Sequence, residues 1–545
     1  MTPLHLWYAI RSANTYARLR RAGLRQVPIK VEDSKPSSSP STIMNQVFTY
    51  KFDTPTFKGS TRVNTCLFIN GKFVDPIEGG SIEVTNPATG KVITSVAGGT
   101  KKDVDVAVKA AKEAYKKSWG LRCPGAQRGR YLSKLADLVE QNIDEMSALE
   151  TLNVGKPFMV AKNNDLTSMI AVLRYYAGWA DKIHGKVIET NEQKFSYTRH
   201  EPYGVVGQIV PWNFPMLMMG WKLGPALATG NTIVLKPSEI TPLTAQRLCD
   251  FIIEAGFPPG VVNIVNGYGN TVGQAISEHL DISKVAFTGS TLVGRKIQEA
   301  SAKSNLKAVT LELGGKSPCI IFDDANIEQA VKWTALGIFA NAGQICSASS
   351  RILLQESIYD TFVEKFTELA KSLQHVTGDP FDADTKHGPQ VSRIQFDRVM
   401  EYLDSAREEG AQFHVGGEKH GMGEGFFIQP TIFTGGPHMK AVKEEIFGPV
   451  AALIKFRTEE EAIELANDTS YGLAAAVFSE NSSRAIRVTH ALEAGTAYVN
   501  CYGDLEPSLP FGGYKQSGNG RESGEYALNM YSEVKAVQVN IGMKL

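Results

Sequence analysis

"KVAFTGSTLVGRKIQEAS", residues 284–301, decides how the rest of the chain is read. "KVAFT" is a short apolar run of strand character, Gly289 turns it, and "TLVGRKIQEAS" has helical spacing. A strand turning directly into a helix collects backbone N–H groups and the positive helix end at Gly289 and Ser290, which suits a phosphate. Only G-x-x-x-x-G is present (Gly289 to Gly294), not G-x-G-x-x-G, so a plain turn is the alternative. "NGYGNTVG", residues 266–273, is a second glycine-rich turn of the same kind.

Working outward, the same alternation fills residues 204–315. "GVVGQIVP" and "TIVLKP" are short apolar runs that end in Pro. "TPLTAQRLCDFIIEAG" is an amphipathic helix closed by Gly256, and "VVNIVNG" and "AVTLELGG" are further strands. Strand–helix repetition predicts a parallel sheet covered by helices, with ligands at the carboxyl ends of its strands. A second α/β region spans 316–516 and includes the helical stretches "NIEQAVKWTALGIFANA" and "SIYDTFVEKFTELAKSL". Nearer the N-terminus, "LFINGKFVD" is a hairpin about Asn70-Gly71, and helical patterns run from "KKDVDVAVKAAKEAYKKSW" to about residue 180. The tail "YSEVKAVQVNI" alternates like a strand, to pair either with "SYTRHEPYG" or with another subunit.

A chain of 545 residues implies two to four domains. Lys+Arg and Asp+Glu are equal at 57, so no global field attracts nucleic acid or anionic lipid. No apolar run is long enough to span a membrane. The six cysteines, Cys66, Cys123, Cys249, Cys319, Cys346 and Cys501, are dispersed and form no C-x-x-C pair, which does not read as a disulfide framework and supports no metal site. The stretch up to Val31 carries Arg11, Arg18, Arg20, Arg21, Arg25 and Lys30, and the first acid is Glu32. That is the character of a mitochondrial transit peptide, followed by the Pro/Ser linker "DSKPSSSPST". Met44 is also a plausible start, so a mitochondrial matrix and a cytoplasmic location both stand. Residues 1–50 are read as this extension and linker.

Five residues carry chemistry in their own right. Lys236 and Glu239 follow the strand "TIVLK", where an acid accepts from ribose hydroxyls and repels a 2′-phosphate; a solvated loop charge is the alternative. Glu312 lies in the strand "VTLELGG", otherwise apolar except for Thr310, at its carboxyl end just before two glycines. A carboxylate buried there is costly unless paired or used, so it is a general base or half of a salt bridge. Asn213 lies between Trp212 and Phe214 with Pro on both sides, as an oxyanion donor or as a turn-former. Cys346, in "NAGQICSASSR", falls on a loop after a helix that stops near Gly343. Free cysteine is usually a small apolar filler, and only its surroundings can overturn that.

The motifs "PWNFP", "LKPSE", "FTGSTLVG", "LELGGKSP", "NAGQICSASSR", "EEIFGPV" and "PFGGYKQSGNGRE" occur in one order across residues 65–545. Together they resemble the NAD(P)-dependent aldehyde dehydrogenase superfamily, most strongly the broad-specificity aldehyde (acetaldehyde) enzymes of fungi and animals. The resemblance implies an α/β fold with a Rossmann-like NAD-binding domain (51–183 and 203–314) and an α/β catalytic domain (315–516). It also implies a β-strand oligomerisation extension (184–202 and 530–545) serving a homotetramer or homodimer.

The resemblance further implies oxidation of a small-molecule aldehyde to a carboxylic acid. Cys346 matches the nucleophile that forms a thiohemiacetal, Asn213 the oxyanion donor, and Glu312 the base that hydrolyses the thioester left after hydride transfer. Lys222 and Glu522 match a proton relay. Lys236, Glu239, Gly289, Ser290 and Gly294 match the adenosine and pyrophosphate side of the cofactor. Gln395, Glu445 and Phe447 match its nicotinamide-ribose side, with Trp212 and Gly269 as further contacts. NAD is expected rather than NADP, and no metal. Phe214, Met218, Trp221, Phe339, Leu505 and Phe511 match an apolar substrate tunnel. A thiol–histidine hydrolase using Cys346 with His375 or His387 is the competing enzyme reading, and it would leave Glu312 and the cofactor motifs idle.

Overall fold

A computed structural model describes residues 46–545. The transit-peptide reading therefore lies outside the described residues. Among the described residues the first strand is Val47–Asp53, inside the segment 1–50 assigned to the extension; it forms an antiparallel hairpin with Lys58–Asn64. Phe48 and Phe52 alternate inward from it to a core shared with Leu149 and Phe158, a period-2 signal visible in "VFTYKFD".

The first large sheet contains Leu67–Ile69 (β1), Lys72–Val74 (β2), Val205–Ile209 (β3), Thr232–Lys236 (β4), Val262–Ile264 (β5), Lys284–Thr288 (β6) and Ala308–Glu312 (β7). Their spatial order is β7-β6-β3-β4-β5-β1-β2, with β7 through β5 parallel. The hairpin β1–β2 turns at Asn70 and Gly71, both at positive φ, as Asn-Gly hairpins require. Every residue of β3, β4 and β6 is buried, because helices cover both faces. The chain moves outward from β3 through β4 to β5, then returns to the other side of β3 as β6. This places the switch point, where such sheets hold ligands, between β3 and β6.

Three helices matter for the site. Pro215–Thr229 (α1) leaves the β3 loop with Pro at its first position and is buried on every side, which brings Gly224 against the Tyr176 ring. Leu243–Ala255 (α2) is closed by Gly256 at φ 87°. Thr291–Lys303 (α3) is capped by Ser290, whose Oγ accepts from the Val293 N–H at 3.4 Å.

The second sheet holds Pro318–Ile321 (β8), Arg351–Gln355 (β9), Gln412–Val415 (β10), Thr431–Thr434 (β11), Val450–Phe456 (β12), Ala474–Phe478 (β13) and Thr496–Val499 (β14), in the order β10-β11-β12-β9-β8-β13-β14. Only the β10–β11 pair is antiparallel. The helix Ile327–Phe339 (α4) joins β8 to the loop of Cys346. A short strand, Gly518–Asn519, returns to the first sheet and pairs antiparallel with the end of β7, Gly518 opposite Glu312.

The tail strand Ser532–Asn540 pairs antiparallel with Lys194–Pro202, which also pairs with Val187–Asn191. Of the two partners expected for the tail, the chain's own "SYTRHEPYG" segment is the one seen. Among the described residues no helix is long and apolar enough to cross a membrane.

Candidate active site

Cys346 lies half-buried in the loop after α4, packed against the core that contains Met218, Trp221 and Phe511. Glu312 is buried at the end of β7, and neither of its oxygens makes a hydrogen bond of ordinary geometry among the described residues. Burial pushes the Glu312 carboxyl up to about 8, against the Lys222 ammonium and with the charges of Glu522 and Glu445; the Cys346 thiol, donating toward it, lowers it. Burial likewise pushes the Cys346 thiol well up, and Glu312 and Glu445 add to the rise.

The two glycines after Glu312 explain how the pieces converge. A Cβ on Gly314 would collide with the Glu445 carboxylate, and one on Gly315 would sit 2.5 Å from the Cys346 carbonyl. Gly315 N–H donates to Glu445 Oε1 at 2.9 Å, while burial lifts Glu445 to about 7. Close backbone approach is the physical reason for glycine at both positions.

Asn213 is buried, and its Nδ2 donates to the Gln344 carbonyl at 2.9 Å, two residues before Cys346. Its own carbonyl accepts from Asn341 Nδ2 (3.1 Å) and Lys156 Nζ (2.9 Å). Lys156 is also ion-paired with Asp165 and stands 3.9 Å from the centre of the Phe214 ring. Lys222, on α1, is buried with its Nζ 2.5 Å from Glu522 Oε1.

On the other side of the switch point, Lys236 Nζ donates to Glu239 Oε2 at 2.7 Å. The Gly269 N–H reaches Glu239 Oε1 at 3.4 Å, so three residues singled out in the sequence meet. Gly289 N–H donates to the Glu312 carbonyl at 3.1 Å. Gly294 is a packing glycine: its Cβ would lie 2.7 Å from the Leu313 side chain. Phe447, at φ 62°, sets its ring edge-on to Trp212 with centroids 5.2 Å apart, and Gln395 Nε2 donates to the Phe447 carbonyl at 2.8 Å. A bulky residue at positive φ is strained and persists only where its surroundings hold it.

A cavity beside α1 is lined by Val172, Leu217, Trp221, Tyr498, Leu505 and Phe511, with Cys501 in its wall. Trp221 and Phe511 touch ring to ring at 5.2 Å. Phe214 and Met218 are not in this lining but pack in or against the adjoining core. Phe339 does not reach the cavity: it is buried in the core of the second sheet, stacked on Phe366 with centroids 5.6 Å apart. As the last residue of α4 its ring turns inward, which the resemblance that places it in the tunnel does not reveal. Leu217 and Val172 were missed; the helical spacing of Leu217 to Trp221 is the signal that finds the first. The hydrolase reading gains nothing from its histidines: His387 is buried with Nδ1 3.3 Å from Thr377 Oγ1, burial holds its pKa down at about 4, and His375 ends a helix.

A thiol and an unpartnered carboxylate that meet in the cleft of a doubly wound sheet define an α/β enzyme of the dinucleotide-fold type. The model of the aldehyde dehydrogenase family matches residues 73–537. An aldehyde dehydrogenase of Agaricus bisporus is 61% identical over 503 residues, covering 92% of this chain and 100% of that protein. One of Emericella nidulans is 55% identical over 500 residues, covering 92% and 99%. The solved NAD+ complex of an aldehyde dehydrogenase from Bacillus cereus superposes with a TM-score of 0.86 at 47% identity, over 88% of this chain and 97% of that one. The chain belongs to the aldehyde dehydrogenase family, and its activity is the oxidation of an aldehyde.

Proposed function

We propose that this chain oxidises its aldehyde with NAD, through a covalent adduct on Cys346. The observation that carries the reading is the buried Glu312 carboxyl, without an ordinary hydrogen bond and facing the Cys346 thiol. The residues present fit the cofactor. The switch point offers the α3 N-terminus with Ser290, the Lys236–Glu239 pair beside Gly269, and a buried Thr288 Oγ1 with no partner among the described residues. Glu239 would accept from a ribose hydroxyl and repel a 2′-phosphate, which favours NAD over NADP.

The Cys346 thiolate adds to the aldehyde carbon and forms a thiohemiacetal. The second Asn213 amide N–H and the Cys346 backbone N–H stabilise its oxyanion. When bound, NAD supplies the acceptor for the hydride that leaves this adduct as a thioester forms. Glu312 takes a proton from the water that attacks the thioester, and the carboxylic acid departs with the thiolate regenerated. The Lys222–Glu522 pair takes the proton onward from Glu312, in keeping with the electrostatic influence of both on that carboxyl. Trp221, Leu217 and Phe511 give the aldehyde an apolar path. The three-stranded sheet, whose strand Val187–Asn191 is exposed throughout, is the surface for a homotetramer or homodimer. Mass spectrometry of enzyme quenched during turnover tests the mechanism: an acyl mass on the Cys346 peptide supports it, and an unmodified Cys346 beside product formation refutes it.

A further inference from the structure

We propose that Gln390 is a positioning residue for Cys346, acting through the left-handed turn Asn341–Ala342–Gly343. The inference rests on Cys346 as the nucleophile.

After α4 ends at Phe339, the chain doubles back to Cys346 through three successive residues at positive φ: Asn341 (49°), Ala342 (53°) and Gly343 (73°). Consecutive left-handed residues are rare, because Cβ crowds the following carbonyl oxygen. Glycine escapes that clash. Asn341 is supported by its own amide, which donates to the Asn213 carbonyl at 3.1 Å and the Gln344 carbonyl at 3.3 Å. Ala342 has neither means. Its carbonyl is instead held from outside, by Gln390 Nε2 at 3.0 Å.

Gln390 is fully buried, and its Oε1 has no partner among the described residues. A carbonyl oxygen only accepts, so the Ala342 bond fixes which way this amide points and leaves its own acceptor orphaned at a cost. The side chain is arranged for the turn and not for its own satisfaction. Gln344 completes the latch: Nε2 donates to the Asn341 carbonyl at 2.9 Å, and Oε1 accepts from the Val391 N–H at 2.8 Å. On the opposite side a Cβ at Gly343 would collide with the Gly448 carbonyl, so the turn has no room to shift that way. Without Gln390, Ala342 relaxes toward negative φ and carries Cys346 away from Glu312.

The test compares Gln390→Leu with wild type in steady-state kinetics and in iodoacetamide alkylation, followed as the mass of the Cys346 peptide across pH. The expected result is a kcat lower by about tenfold to a hundredfold, the range that misplacement by about 1 Å produces, with the aldehyde KM near wild type. The alkylation midpoint moves to lower pH, because the thiol has left two carboxylates. Adding Ala342→Gly, which frees the turn to stay left-handed without help, restores kcat and the midpoint. Wild-type kcat and midpoint in Gln390→Leu overturn the proposal, as does a folded double variant that recovers neither. Should Gln390→Leu fail to fold, Gln390→Asn, one methylene shorter, is judged by the same two readouts. Failure of the nucleophile reading is separately visible as turnover by Cys346→Ala.

Discussion

The Glu312 carboxyl and the Cys346 thiol face one another, and burial raises both so that each keeps its proton at neutral pH. Neither is poised by a histidine. In the proposed mechanism the thiol loses its proton for attack and the carboxyl loses its own for hydrolysis, so both halves of the reaction are expected to gain from alkaline pH.

Cys346→Ala is expected to abolish aldehyde oxidation while titration calorimetry still detects NAD binding, since no proposed cofactor contact uses the sulfur. Substantial residual turnover would sink the assignment.

Glu312→Gln should lower kcat by about a hundredfold or more, the usual worth of a general base. It should also erase the limb of the wild-type kcat profile that rises as Glu312 ionises near pH 8. Stability changes in a linked way. The folded pKa lies above the ordinary carboxyl value of 4.5, so the folded state keeps a proton that the unfolded chain releases. The stabilisation is complete below about 4.5 and lost as pH rises through about 8. Calorimetry should therefore find the Tm advantage of Glu312→Gln over wild type larger at pH 8.5 than at pH 5.5; an advantage independent of pH contradicts the raised pKa.

Lys222→Met or Glu522→Leu alone leaves a buried charge without its partner and should destabilise by about 3–5 kcal/mol. The double variant should regain much of that stability in urea unfolding. Its turnover should stay low if the pair relays protons, and recovery of activity along with stability would make the pair merely structural.

Glu239→Gln should shift the NAD/NADP ratio of kcat/KM toward NADP by about tenfold, equivalent to about 1.4 kcal/mol. An unchanged ratio means that Glu239 does not face the ribose 2′ position.

Much of this architecture could be read from the chain because local chemistry and tertiary demand agree. Asn70-Gly71 makes the hairpin its backbone permits, Gly256 closes α2, and Glu312 ends an apolar strand where a free carboxyl needs a reason. The left-handed turn at Ala342 was illegible, since alanine carries no turn signal and its conformation is imposed by Gln390 from a distant loop. Resemblance alone places Phe339 in the tunnel, and nothing in its local sequence says that its ring packs on Phe366 instead of lining the cavity. The burial of Lys156 beneath Asn213 depends on Asp165, and no local pattern announces it.

The short strand Gly518–Asn519 has one more effect. It comes from the chain that has just left the second sheet, yet the Leu313 N–H donates to the Ser517 carbonyl at 3.0 Å and the Leu311 N–H to Asn519 Oδ1 at 3.1 Å. These hydrogen bonds baste the 316–516 region to the first sheet right beside Glu312, so any separation of the two has to break them first. Hydrogen exchange at the Leu311 and Leu313 amides then reports how often that seam parts.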